Sequence, residues 1–274
     1  MLNLDRQNFH AVFYVNQLQA LTTCSFAQCG VNRIFRKKQA MARAPFQIDP
    51  RLGKRGEVAT RLDNLTDAVF GIAITLLIFS QANPNSFGDL LRFTKTLPAF
   101  LISIGFLMLI WTEHRKFSQV YGLYDTSLLW LNTLFLAMVI FYVYPLRFLT
   151  LFLTHMLFDL GLDLSIRFSD VPHLMMYYGL MAFALYFLLF LFYHRALKMA
   201  DTLDLSEYER FYTREQRFKM VLMFSVPLLS VAVSAILAPW SSFLAGILSG
   251  VTYFIYTPLM FWWGKRHERL SAAY

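Results

Sequence analysis

The chain has 274 residues, of which 57% are hydrophobic and 15% charged, and it carries a net charge of +8 at neutral pH. A soluble domain of this length holds roughly a quarter of its residues as charges. This composition therefore disfavours a water-soluble helical bundle and points to an all-α membrane protein.

Residues 1–30 are mixed and weakly apolar, with no basic start ahead of an apolar run, which argues against a cleaved signal peptide. Cys24 and Cys29 fall here. No histidine stands at metal-ligand spacing from them, and a cytoplasmic placement disfavours a disulfide. A basic cluster over residues 33–43 follows, and Pro45, Pro50 and Gly53 break any long helix before the first apolar segment. Residues 1–60 are expected to form a poorly ordered or loosely helical cytoplasmic extension, with Met41 a candidate alternative start.

Residues 64–80 form the first and least apolar helical segment, entered through Arg61-Leu-Asp-Asn-Leu-Thr-Asp67. Asn83-Pro-Asn-Ser-Phe-Gly88 then supplies a turn cluster that ends it. Apolar stretches follow at 97–112, 128–144, 174–193, 221–238 and 243–263, each approaching the ~20 residues that cross a bilayer core. With the first helix these make six expected spans, in a domain over 61–264 with a short tail at 265–274. Pro145 should kink or stop the third span. Residues 146–164, apolar with His155 and Asp159 interspersed, continue that helix or lie at the membrane surface. Residues 201–217, the most charged stretch, read as a solvated helical connection.

The positive charge is asymmetric. With a cytoplasmic N-terminus, six spans place both termini inside, and all but four of the 25 Lys and Arg residues then face the cytoplasm. Only Arg92, Lys95, Arg147 and Arg167 fall outside. This positive-inside bias supports the span count and the orientation of a multi-pass protein, expected in a bacterial plasma membrane. The basic runs read as topology determinants and secondarily as contacts to anionic lipid, not as a nucleic-acid surface.

No phosphate-binding glycine loop, zinc-binding His-Glu-x-x-His helix or Gly-x-Ser-x-Gly elbow is present, and the six histidines are scattered. Neither catalytic residues nor metal ligands are assigned, and an enzyme is not expected. A Thr-Val-Gly-Tyr-Gly filter is also absent. The chemistry concentrates instead at the start of the first helix, where a carboxylate such as Asp67 is costly in a bilayer unless it faces protein or water.

These residues carry a resemblance. The run Arg61, Asp67 and residues 68–77 (Ala-Val-Phe-Gly-Ile-Ala-Ile-Thr-Leu-Leu) is similar to the signature of the lysosomal potassium channel family, transmembrane protein 175. That signature reads Arg-x-x-x-Phe-Ser-Asp followed by an Ala-Val-Phe-Ala-Ile-Ala-Ile-Thr-Leu-Leu helix. Leu65 and Thr66 replace the Phe and Ser, and Gly71 replaces an alanine. Trp111-Thr-Glu-His114-Arg-Lys-Phe117, Asn132 and Pro145 also resemble family features, whereas the last three spans match in pattern alone. A second Phe-Ser-Asp at residues 168–170 precedes no comparable helix.

The resemblance implies a potassium-permeable cation channel whose first helix lines a central pore. One six-span repeat per chain implies a homotetramer, with potassium and other monovalent cations or protons as the candidate permeant species and no cofactor. It maps a constricting isoleucine onto Ile72 and a selectivity threonine onto Thr75. Ile72, Leu76 and Phe79 recur at i, i+4 and i+7, with Thr75 on a neighbouring line. An apolar stripe of this kind is also what simple helix packing requires. Arg61, Thr66, Asp67, His114 and Asn132 are expected to form a structural polar network near the cytoplasmic side, with a proton relay through Asp67 and His114 the less favoured role. Trp111 and Trp130 read as packing or interfacial anchors. The alternative function is a secondary transporter or proton-coupled permease, against which the lack of self-similarity between the two halves weighs.

Overall fold

The computed structural model describes residues 48–56, 60–79, 85–158 and 167–274, and every regular element among them is helical. The leader to residue 47, including Cys24, Cys29 and Met41, lies outside the described residues. Helix α1 spans Arg61–Phe79, α2 Phe87–Lys95, α3 Leu97–Tyr121, α4 Thr126–Phe158, α5 Val171–Lys198, α6 Glu207–Leu237, α7 Ser242–Val251 and α8 Tyr256–Ser271. Short 3-10 turns at Phe168–Asp170 and Thr252–Ile255 lead into α5 and join α7 to α8.

Local chemistry sets the helix ends. At α1 the Thr60 N–H donates to Asp63 Oδ2 at 2.9 Å, and the Asp63 N–H donates to Thr60 Oγ1 at 3.4 Å. This reciprocal cap satisfies two amides that the first turn would otherwise leave orphaned. Ser206 and Glu209 form the same device at α6, and Ser86 accepts from the Asp89 N–H at α2. Helix α3 stops at Gly122, whose φ of 53° is a left-handed conformation that costs glycine little.

Five segments are long and apolar enough to cross a bilayer: α3, residues Thr126–His155 of α4, α5, α6, and α7 through α8. They run past the apolar cores legible in the sequence because their polar ends extend beyond the ~30 Å hydrocarbon layer. Large apolar side chains such as Leu109, Phe141, Ile236 and Phe254 face outward, as a lipid solvent requires. Helix α1 carries Asp63, Asn64 and Asp67 in its first two turns and is not among the five. Helices α5 and α6 make the most extensive pairing, while α1 packs on α3 and α4. An aromatic cluster of Phe117, Tyr121, Phe135, Phe192 and Tyr193 fills the interior between α3, α4 and α5, each side chain at most 2% exposed.

Three expectations change, and one left open is decided. Of the two readings for the residues after Pro145, the helical continuation holds: α4 runs through Pro145 to Phe158. A proline there removes one intrahelical hydrogen bond, the one to the Phe141 carbonyl, which a helix packed against neighbours can carry. Tyr178 of α5 donates to the Pro145 carbonyl at 2.8 Å, tying the two helices at this point. The charged stretch 201–217 is not a solvated connection. It forms a turn and then the first turns of α6, with Glu209, Thr213, Glu215 and Gln216 buried. The expected tail is part of α8, which runs to Ser271 and pairs Arg266 with Glu215 at 3.1 Å. Finally, residues 49–56 do not behave as a loose extension but belong to the compact unit that begins at Asp49. Their Arg55 is clamped by both oxygens of Glu209, at 2.5 and 3.1 Å.

Candidate functional site

The first helix has two faces. Thr66, Phe70, Ala73 and Leu77, spaced four, three and four residues apart, are buried against the rest of the chain. Leu65, Ala68, Ile72 and Thr75, spaced three, four and three apart, are exposed, with Ile72 at 54%. Ile72 and Thr75 thus share the uncovered face, and Leu76 is half-buried at its margin. Phe79 ends the helix; its side chain lies outside those described. The Thr75 hydroxyl donates to Gly71 O at 2.8 Å, so its proton is used within the helix and its oxygen lone pairs stay available. A side chain at Gly71 would meet no atom within 4 Å.

Three of the expected network residues form one chain. His114 Nε2 meets Asn132 Oδ1 at 2.8 Å, Asn132 Nδ2 donates to Thr66 Oγ1 at 3.1 Å, and Thr66 Oγ1 donates to Leu62 O at 2.9 Å. With the amide nitrogen turned to Thr66, Oδ1 accepts from His114, so Nε2 carries the proton. The side chains are 6%, 1% and 2% exposed, and the imidazole stacks on Phe135 at 5.0 Å. Such a buried hydrogen-bonded path ties α1 to α3 and α4.

Asp67 and Arg61 stand apart from it. Asp67 is exposed and accepts from the Trp111 indole N–H at 2.8 Å, while the Arg115 guanidinium lies 4.9 Å from the Trp111 ring. Arg61 is exposed and joins neither group. Trp130 is 69% exposed on α4.

The strongest anchor of α1 is a residue that sequence reasoning passed over. Asp63 accepts from Ser118 Oγ, from Tyr124 Oη at 2.8 Å and from the Thr60 hydroxyl at 2.8 Å, besides its capping bond. The spacing Thr60-x-x-Asp63 is a legible helix-start signal, but its partners on α3 and the following loop are not local. Burial pushes the Tyr124 phenol up from its ordinary value, and its hydrogen bond to the Asp63 carboxylate adds to this.

Just before α1, residues 49–56 cross the end of α3. Gly56 N–H donates to Gln119 O at 3.1 Å, and a Cβ on Gly56 would sit 2.1 Å from Ser118 O. Arg55 also donates to Leu203 O and Asp204 O, each at 3.1 Å. The Glu209 hydrogen bond holds the Arg55 guanidinium above its ordinary pKa. Burial alone would raise the Asp49 carboxyl, but hydrogen bonds from Arg51 and from Tyr208 hold it well below the usual carboxylate range. Behind α3, Glu113 pairs with Lys219 at 2.9 Å and with Lys116 at 3.5 Å. Among the described residues no group of three metal-ligating side chains converges.

Chemically, the arrangement offers one rigidly tethered helix with an uncovered stripe of small and apolar side chains and one hydroxyl. A sequence model of the endosomal/lysosomal potassium channel TMEM175 family matches residues 61–142. A potassium channel of Marivirga tractuosa is 40% identical over 233 residues, covering 82% of this chain and 94% of that protein. A potassium channel of Chamaesiphon minutus is 28% identical over 103 residues, covering 35% of this chain and 51% of that one. Among solved structures, the crystal structure of a threonine-to-alanine variant of the potassium channel MtTMEM175, bound to a nanobody–MBP fusion, matches with a TM-score of 0.74. The two are 37% identical, and the match covers 81% of this chain and 99% of that chain.

Proposed function

Because the chain belongs to the TMEM175 family of potassium channels, we propose that it forms a potassium-permeable cation channel whose pore is lined by α1. The observation that carries this reading is the uncovered face of α1, with Leu65, Ala68, Ile72 and Thr75 exposed opposite a buried face. One helix cannot enclose a pore, and rotational symmetry supplies the missing walls. Four copies of α1, the first span of each subunit, meet around an axis in a homotetramer. Ile72 forms the apolar constriction, which resists ion passage by excluding water, and Thr75 offers hydroxyl oxygens to a partly dehydrated cation. Leu76 and Phe79 continue the lining.

The Thr66–Asn132–His114 path, with Asp63 and Asp67, holds α1 at a fixed rotation so that the four Ile72 side chains converge. In this role the polar residues are structural, and potassium, the permeant species, passes without a cofactor. Both termini face the cytoplasm of a bacterial plasma membrane, as the basic residues of the inner loops require.

Purified protein reconstituted into potassium-loaded vesicles tests the reading. Valinomycin-independent potassium efflux that scales with the gradient and needs no counter-substrate is expected, from particles whose mass equals four chains. Saturable flux that depends on a counter-substrate would replace the channel with a transporter.

A further inference from the structure

Arg147 lies on α4 two residues past Pro145 and is 4% exposed. Its guanidinium makes one hydrogen bond, Nη2 donating to Thr96 Oγ1 at 3.1 Å, while Nε and Nη1 are buried without a partner. No carboxylate among the described residues pairs with it, in contrast to Arg55, Arg195 and Arg266. The Phe100 ring is 6.0 Å away, the outer limit of a cation–π contact. Arginine does not lose its proton in proteins, so a full charge with free donors is held out of water, an arrangement that favours an anionic partner.

The side chain opens onto a cavity of about 230 Å³ whose walls include Ile78 of α1, Phe93 of α2, Thr96, and Leu97 and Phe100 of α3. Among the described residues Arg147 is its one charged lining residue, and most of the remaining wall is hydrocarbon. The Thr96 hydroxyl donates to Phe93 O at 2.7 Å, and among the described lining residues the unpartnered side-chain donors are those of Arg147. A cation with open N–H groups set into an apolar wall matches an oxyanion attached to a hydrocarbon chain. Guanidinium is well suited to phosphate.

We propose that this cavity binds the phosphate oxyanion of an anionic membrane lipid, held by the unpartnered N–H groups of Arg147, with the adjoining hydrocarbon against Phe93, Leu97 and Phe100. Because Ile78 forms part of the wall, the bound lipid buttresses the C-terminal end of α1. This site does not depend on α1 lining a pore.

The test uses purified, delipidated full-length protein in a neutral detergent, with thermal unfolding followed on addition of phosphatidylglycerol, phosphatidylcholine or inorganic phosphate. Phosphatidylglycerol is expected to raise the unfolding temperature by several degrees, at lower concentration than phosphatidylcholine. Arg147→Met is expected to remove this response and Arg147→Lys to keep part of it. Leu97→Trp, which fills the cavity without touching the charge, should also abolish the response and serves if Arg147→Met does not fold. Native mass spectrometry of the unaltered protein should show phosphatidylglycerol retained on each chain. An equal shift in folded Arg147→Met, or no shift and no retained lipid in the unaltered protein, overturns the proposal. A full shift from inorganic phosphate alone overturns the lipid source in favour of a free oxyanion.

Discussion

Asp63 on α1 and Ser118 on α3, 55 residues apart in sequence, share a direct hydrogen bond in which the hydroxyl donates to the carboxylate. The same carboxylate caps its own helix and accepts from Tyr124. One side chain therefore fixes both where α1 begins and how it is turned against its neighbours. Asp63→Ala removes the cap and leaves three hydroxyl donors, of Thr60, Ser118 and Tyr124, without their acceptor, which should cost about 2–4 kcal/mol. Asp67→Ala loses one exposed indole bond and should cost about 1 kcal/mol. Thermal unfolding of the two purified variants checks the ranking; a larger loss from Asp67→Ala would reverse the anchoring assignment.

The buried path through Asn132 should behave as a unit. Asn132→Leu strands His114 Nε2 and the Thr66 hydroxyl oxygen, at about 1–3 kcal/mol for each buried group left unsatisfied. A double-mutant cycle between His114→Phe and Asn132→Leu should give a coupling of about 0.5–3 kcal/mol. Additive losses would mean that the two side chains do not act through their shared hydrogen bond.

Two glycines should respond oppositely to alanine. A Cβ on Gly56 would press on the Ser118 carbonyl at 2.1 Å, which a backbone atom cannot yield without moving the segment before α1. Gly56→Ala should therefore cost about 1–3 kcal/mol. Gly71→Ala meets nothing within the subunit and should be neutral or stabilising by about 0.5–1 kcal/mol through helix propensity. Unfolding temperatures of the pair decide it, and equal effects would contradict the packing described.

Acid should loosen the segment before α1. The Asp49 carboxyl, held low in the folded protein by Arg51 and Tyr208, contributes stability that is complete above an unfolded pKa of about 4 and is lost as pH falls through the lower native value. Hydrogen exchange at residues 49–56 should therefore rise below about pH 4. Asp49→Asn should show fast exchange there at neutral pH as well. Unchanged protection in that variant would show that the carboxylate does not hold the segment.

Much of this architecture is legible in the sequence because bilayer spans are written as long apolar runs. Arg61, Asp67 and the run that follows carry the family resemblance by themselves. What escapes is whatever depends on a partner far along the chain. Glu209 reads as one more charge in a polar stretch until Arg55, 154 residues earlier, is found beside it. Pro145 looks like a stop because the sequence does not display the neighbouring helix, tied to α4 there by the Tyr178 hydroxyl, against which α4 continues. Asp63 is overshadowed by Asp67, the motif residue, since its acceptor role rests on Ser118 and Tyr124. Helix α2, nine residues with none buried, lacks the apolar run by which its neighbours announce themselves.

The central claim is that four copies of Ile72 close the pore, and a single substitution addresses it directly. Ile72→Asn keeps similar volume but places an amide in a layer that excludes water, so potassium leak should rise at least several-fold. On a surface buried by packing, the same amide would be unsatisfied, lowering stability by about 1–3 kcal/mol without raising flux. Planar-bilayer conductance of the purified Ile72→Asn tetramer is the decisive measurement. The channel reading predicts higher resting potassium conductance in a folded protein; normal assembly with unchanged conductance would contradict it.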